Sequence, residues 1–133
     1  MKPEELQIGD WVLYKSDAPE NAFPIKVDYN IFCNELHKWE DRFEAIQLTP
    51  EILEKNGFEK VNESVFRIYN YSAKLHIGIY FDEFRDNMPI IYLLDENTGS
   101  WPGYQQYDLF DCKYVHELQH ALRLCKIDKE IIL

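Results

Sequence analysis

No hydrophobic run in this chain approaches the roughly 20 residues that a membrane-spanning helix needs. The opening Met1-Lys2-Pro3-Glu4-Glu5 has none of the apolar stretch of a secretory leader. Basic residues are scarce: 14 Lys and Arg stand against 24 Asp and Glu, a net charge of −10, and no basic cluster occurs anywhere. That balance repels the phosphate backbone of nucleic acid and an anionic bilayer surface alike. The expected partner is therefore another protein, with no nucleic acid and no membrane. The acids are too scattered to imitate a row of phosphates, so the charge first of all serves solubility. The three cysteines, Cys33, Cys112 and Cys125, are odd in number and contain no Cys-x-x-Cys pair. They read as reduced thiols in a cytoplasmic protein. The five glycines are isolated, which excludes a glycine-rich phosphate loop. No cofactor is expected.

What the chain does have is core-forming material. With 46% hydrophobic and 15% aromatic residues over 133 positions, it can fill one domain, 1–133, without metal or disulfide. No linker, repeat or low-complexity segment divides it.

Ile8 to Tyr14 reads as a strand entered through a Gly-Asp turn, like the first strand of SH3-like barrels. Further strands are expected at Ile25–Phe32 and Phe43–Leu48. Thr49-Pro50-Glu51 is a helix start, with a capping hydroxyl, a proline at the first helical position and an acid at the positive end of the dipole. Gly57 is its left-handed stop, with Phe58 folding back on Leu53. Lys74 to Phe81 alternates, setting Leu75, Ile77, Ile79 and Phe81 on one face and His76, Gly78 and Tyr80 on the other. Asp82–Asn87 is a turn. Pro89–Leu94 is continuously apolar, as for a central strand covered on both faces. The predicted fold class is α+β: a strongly bent antiparallel sheet, partly SH3-like and barrel-like at its N-terminus, with a short middle helix and a C-terminal helix packed on it.

The stretch that names a chemistry is His116-Glu117-Leu118-Gln119-His120. Two His four apart on one helix face can share a zinc ion, and the Glu between them reaches a metal-bound water as general base. The surroundings argue against that use. Between Lys113 and Lys126 the apolar set Tyr114, Val115, Leu118, Ala121, Leu122 and Cys125 recurs at helical spacing and defines the core face. His116, His120 and Arg123 lie nearly opposite, so they are expected on a solvated face, with a guanidinium beside the would-be cation. The thirteen residues after His120 offer only Asp128 and Glu130 as acids. The metzincin extension needs Gly where Arg123 stands and His where Lys126 stands. An aspzincin-type third ligand would be Asp128, without that family's Gly-Thr lead-in. His37 and His76 are the remaining histidines, and no spacing ties them to the pair. No catalytic, cofactor-binding or metal residue is therefore assigned.

Three segments carry a family resemblance: Pro3-Glu4-Glu5-Leu6-Gln7-Ile8-Gly9-Asp10-Trp11-Val12, then Ile46 through Phe58, then Tyr114-Val115-His116-Glu117-Leu118-Gln119-His120. The chain resembles a group of small uncharacterised proteins of gut anaerobes and their prophages and other mobile elements. The resemblance implies a similar final helix with Gln where Glu117 stands and Asn where His120 stands. The zinc signature is then a drift of this sequence. It brings no known activity.

Other sites are weaker. Cys33 and His37 lack a third group to orient them. Asp95-Glu96-Asn97-Thr98-Gly99 has its glycine one place early for a calcium loop and no acid at the twelfth position. The loop from Trp101 to Tyr107 carries Trp101, Tyr104 and Tyr107 with little charge; its rings are expected first to cap one end of the sheet, and the alternative is a protein-contact surface. The function expected is a non-enzymatic protein-binding or accessory role in a mobile element; the alternative is a zinc-dependent hydrolase built on His116, Glu117 and His120.

Overall fold

The structure, a computed structural model, describes residues 5–15, 21–35, 42–70, 75–95, 105–127 and 129–133. Its elements run β1 (Trp11–Tyr14), β2 (Phe23–Lys26), β3 (Phe43–Ala45), α1 (Pro50–Lys55), β4 (Glu59–Asn62), β5 (Val65–Asn70), β6 (Leu75–Asp82), β7 (Met88–Asp95), β8 (Gln105–Asp111) and α2 (Val115–Leu124). All the described strand pairs are antiparallel. The α+β class, the short middle helix and the C-terminal helix are as expected. The strands divide into a three-stranded sheet, β2-β1-β3, and a five-stranded sheet, β4-β5-β6-β7-β8, instead of forming one bent sheet. Among the described residues neither sheet closes into a barrel.

The chain gathers into two compact units, each made of two segments: 1–47 with 114–121, and 48–113 with 122–133. In the first, Val12 lies between Ile25 of β2 and Ala45 of β3 and is wholly buried. Leu6, Val12, Val27 and Phe43 form its core, flanked by Tyr14, Ile25, Ile31 and Phe32. The Tyr14 ring packs between Phe23 and Phe43, at centroid distances of 5.6 and 5.4 Å. The expected strand Ile25–Phe32 stops at Lys26. Asp28 explains the stop, because its Oδ1 accepts from the Ile31 amide at 2.8 Å and starts the π-helical turn Ile31–Glu35. A short acid that caps the next turn outcompetes the β-ladder here. An antiparallel bridge between Gln47 and Tyr114 brings together the ends of this unit's two segments.

In the second unit the middle helix is built as its sequence dictates. Thr49 Oγ1 accepts from the Ile52 amide at 3.4 Å. Gly57 sits at φ +79°, and the amides of Gly57 and Phe58 donate to the carbonyls of Glu54 and Leu53 at 3.2 and 3.1 Å, a complete Schellman ending. Asn56 is buried and holds the chain's end: its Nδ2 donates to the carbonyls of Ile52 and Ile132, and its Oδ1 accepts from the Ile132 amide. That brace seats Ile131 in the core.

Strand β7 is central, and its run from Pro89 to Tyr92 is buried on both faces. On β6, Ile77 and Ile79 are fully buried, and the opposite face carries His76, Gly78 and Tyr80. Gly78 pairs with Tyr92, whose ring occupies the place a side chain at 78 would take. The hairpin β4–β5 and strand β8 have no counterpart in the sequence reading.

Candidate functional site

All five residues of the His-Glu-x-x-His stretch lie at the start of α2, inside the first unit. Tyr114 occupies the cap position. Its carbonyl accepts from the Leu118 amide at 3.2 Å, and its own amide donates to Glu117 Oε1 at 3.0 Å. An acid three places into a helix that reaches back to the cap amide is one arm of a capping box. Glu117, the general base of the zinc reading, is thereby held in a structural bond.

Gln119 does the same for the entry to β1. Its Nε2 donates to the Gly9 carbonyl at 3.0 Å, and its Oε1 accepts from the Trp11 amide at 3.0 Å. A primary amide presents one donor and one acceptor side by side, so it pairs with a strand as another peptide would. Gly9 takes a left-handed φ of +98° to present its carbonyl.

Asp10 stands between those two backbone contacts and is entirely buried. Its Oδ2 accepts from the Gln7 amide at 2.7 Å and lies 2.7 Å from His120 Nε2. A buried carboxylate needs such partners, because an uncompensated charge out of water is costly. His120 Nε2 is therefore occupied by Asp10. The His120 side chain keeps 22% of its surface exposed.

His116 is 5% exposed. Its ring stacks on Tyr114 at 5.8 Å with 9° between planes, and meets the His120 ring edge-on at 5.7 Å. Its Nδ1 is buried without a hydrogen-bond partner among the described residues. Burial holds the His116 pKa below the usual imidazole value, with His120 adding to the effect; Asp10 and Glu5 pull the other way. A cleft of about 380 Å³ lies outside this cluster, lined by Glu5, Tyr114, His116, Glu117 and His120. No group of three or more His, Cys, Asp and Glu among the described residues is arranged to hold a metal ion.

The expectation of a solvated histidine face is thus corrected. His116 and Gln119 are buried, and His120 is tied to a buried acid. Apolar periodicity finds only the face that buries hydrocarbon. It misses a second face that buries polar groups against backbone amides and carbonyls. Arg123, placed with the histidines, is exposed.

The remaining expected sites separate widely along the chain. Trp101 and Tyr104 lie outside the described residues, as do His37, Asp128 and the calcium-like segment beyond Asp95. Tyr107 belongs to strand β8, paired with Leu93, and not to a loop. Cys33 is exposed, Cys112 buried and Cys125 half-buried, and all three are free thiols. Burial raises the Cys125 thiol pKa. No helix among the described residues is long and apolar enough to cross a membrane.

Gly9–Trp11 and Tyr114–His120, more than 100 residues apart in sequence, meet in this cluster. Comparison with family models, with curated proteins and with solved structures finds no match to this chain.

Proposed function

We propose that this chain is a non-enzymatic protein-binding protein, serving as an accessory protein of a mobile element, the setting its family resemblance implies. The observation that carries the reading is the occupation of the one chemistry-bearing motif by the fold. Glu117 caps its own helix, Gln119 brackets Gly9 and Trp11, and His120 pairs with Asp10. A hydrolase needs the same Glu free to reach a water and the same His free to bind metal. The residues that the resemblance implies at 117 and 120 fit a structural role. Gln keeps an acceptor for the Tyr114 amide, and Asn keeps a donor for Asp10. The acidic surface, at a net −10, favours a protein partner over nucleic acid.

Glu117→Gln is the discriminating variant, since it keeps the cap and removes the general base. Peptide, ester and phosphoester hydrolysis are measured on wild type and variant, with zinc added. The expected result is equal background from both. Turnover by the wild type that the variant loses would overturn the reading and install the zinc-dependent hydrolase in its place.

A further inference from the structure

The β6–β7 connection carries the most exposed large apolar side chain among the described residues: Phe84, 99% exposed. The turn around it is built, not slack. Asp82 Oδ1 accepts from the Phe84 amide at 3.0 Å and starts the short 3₁₀ turn Glu83–Arg85. Asp86 and Asn87 then both adopt left-handed backbone, at φ 53° and 56°. Asp and Asn are the non-glycine residues that best tolerate that region, so the sequence itself favours this turn.

Arg85 ties the turn to the sheet. Its Nη1 and Nη2 donate to Asp111 Oδ1 and Oδ2 at 3.1 and 2.7 Å, a two-pronged clamp onto the end of β8. That hydrogen bonding holds the Asp111 carboxyl below its ordinary range. The clamp neutralises Arg85, and the other charged residues of the turn, Asp82, Glu83 and Asp86, are all acidic. The tip therefore carries an exposed apolar ring flanked in sequence by acids, an acidic collar.

We infer that the β6–β7 tip is a docking element whose Phe84 inserts into an apolar pocket rimmed by Lys and Arg on a partner protein. Charge complementarity selects that occupant. A second copy of this chain, also at −10, repels the collar, and so do nucleic acid and an anionic bilayer. A ring presented on a fixed turn loses little freedom on binding, which is the property of interface anchors. The inference rests on the protein-binding reading above and names the surface and partner chemistry for it.

The test is fluorine NMR of the full chain carrying 4-fluorophenylalanine, with the Phe84 signal assigned by its loss in Phe84→Ser. The probes are two fractions of lysate from cells that carry the gene, one retained by a cation exchanger and one by an anion exchanger. The Phe84 signal is expected to broaden with the basic fraction alone and to recover at about 1 M salt, where screening is nearly complete. Against the protein isolated from that fraction, Phe84→Ser should weaken binding roughly tenfold or more, as for an interface anchor. Arg85→Ala, which keeps the ring and frees the turn, should weaken it about threefold. Both positions are exposed: Phe84→Ser should leave the melting temperature unchanged, and Arg85→Ala, which loses a surface ion pair, should lower it only slightly, so lost binding is not lost folding. If other signals respond while Phe84 stays sharp and Phe84→Ser binds like wild type, the tip is not the docking element and the protein-binding reading survives. If no signal responds to either fraction, both fail together.

Discussion

Replacing His120 by Ala removes the imidazole that lies 2.7 Å from Asp10 Oδ2, an oxygen that also accepts from the Gln7 amide at 2.7 Å. Asp10 is wholly buried, so its carboxylate cannot turn to bulk water. Leaving a buried hydrogen-bonding group without its partner costs about 1–3 kcal/mol, and more where that group is charged. Here the His120 side chain is 22% exposed, so water can enter the space it vacates and recover part of that loss. The expected cost is roughly 1–3 kcal/mol after that discount for solvent access. For a chain of this length it corresponds to a melting-point drop of roughly 4–12 °C. Leu118→Ala is the internal standard. Its side chain is fully buried, and its loss should cost about 2–5 kcal/mol. The assay is chemical denaturation of wild type, Asp10→Ala, His120→Ala and the double variant, followed by tryptophan fluorescence and circular dichroism. A coupling energy of about 1 kcal/mol or more between the two sites is expected for groups in direct contact. If His120→Ala falls within about 0.5 kcal/mol of wild type, as an ordinary surface substitution does, the structural role argued for the motif is refuted.

Two further outcomes follow from the same packing. His116 has a pKa depressed by burial, so the fold prefers its neutral form. Its contribution is complete above the unfolded value of about 6.5 and is lost as pH falls through the lower folded value. Urea melts from about pH 7.5 down to 5.5 should therefore show wild type losing more stability than His116→Phe; parallel curves would contradict this. Gly78→Ala places a methyl group in the space of the Tyr92 ring and should cost roughly 1–3 kcal/mol by overpacking. That cost should largely vanish in a Tyr92→Ala background, and its persistence there would place the strain elsewhere.

Local chemistry was the legible part of the fold. Thr49, Pro50 and Gly57 each force a backbone geometry by themselves, and the helix they bound appears with its capping bonds in place. The alternation of β6 and the apolar run of β7 also read correctly, because burial on one face or two leaves a direct mark on the sequence. Strand β4 left none: all four of its residues are exposed, so no alternation exists to find. The Asp28 cap defeated the long second strand because a single side-chain bond redirects a chain whose residues otherwise suit β-structure. The two-unit division leaves no linker, since each unit is assembled from segments distant in sequence and α2 supplies residues to both.

The histidine pair was legible as a helical face and misread as to what meets it. Nothing in Gly9-Asp10-Trp11 announces that its carbonyl, carboxylate and amide will receive Gln119 and His120 more than 100 residues later. Apolar contacts are foreshadowed by periodicity. A polar face matched group for group against backbone has no period, and only the placed chain reveals it.

If Glu117, Gln119 and His120 are spent on holding the first unit together, the His-Glu-x-x-His stretch does not bind zinc. Elemental analysis of chain purified without chelator, before and after one equivalent of zinc is added and dialysed away, tests it directly. The account predicts zinc far below one per chain in both samples, with the same melting temperature in chelator. About one tightly held zinc per chain, lost in His120→Ala and with stability falling on chelation, would contradict it.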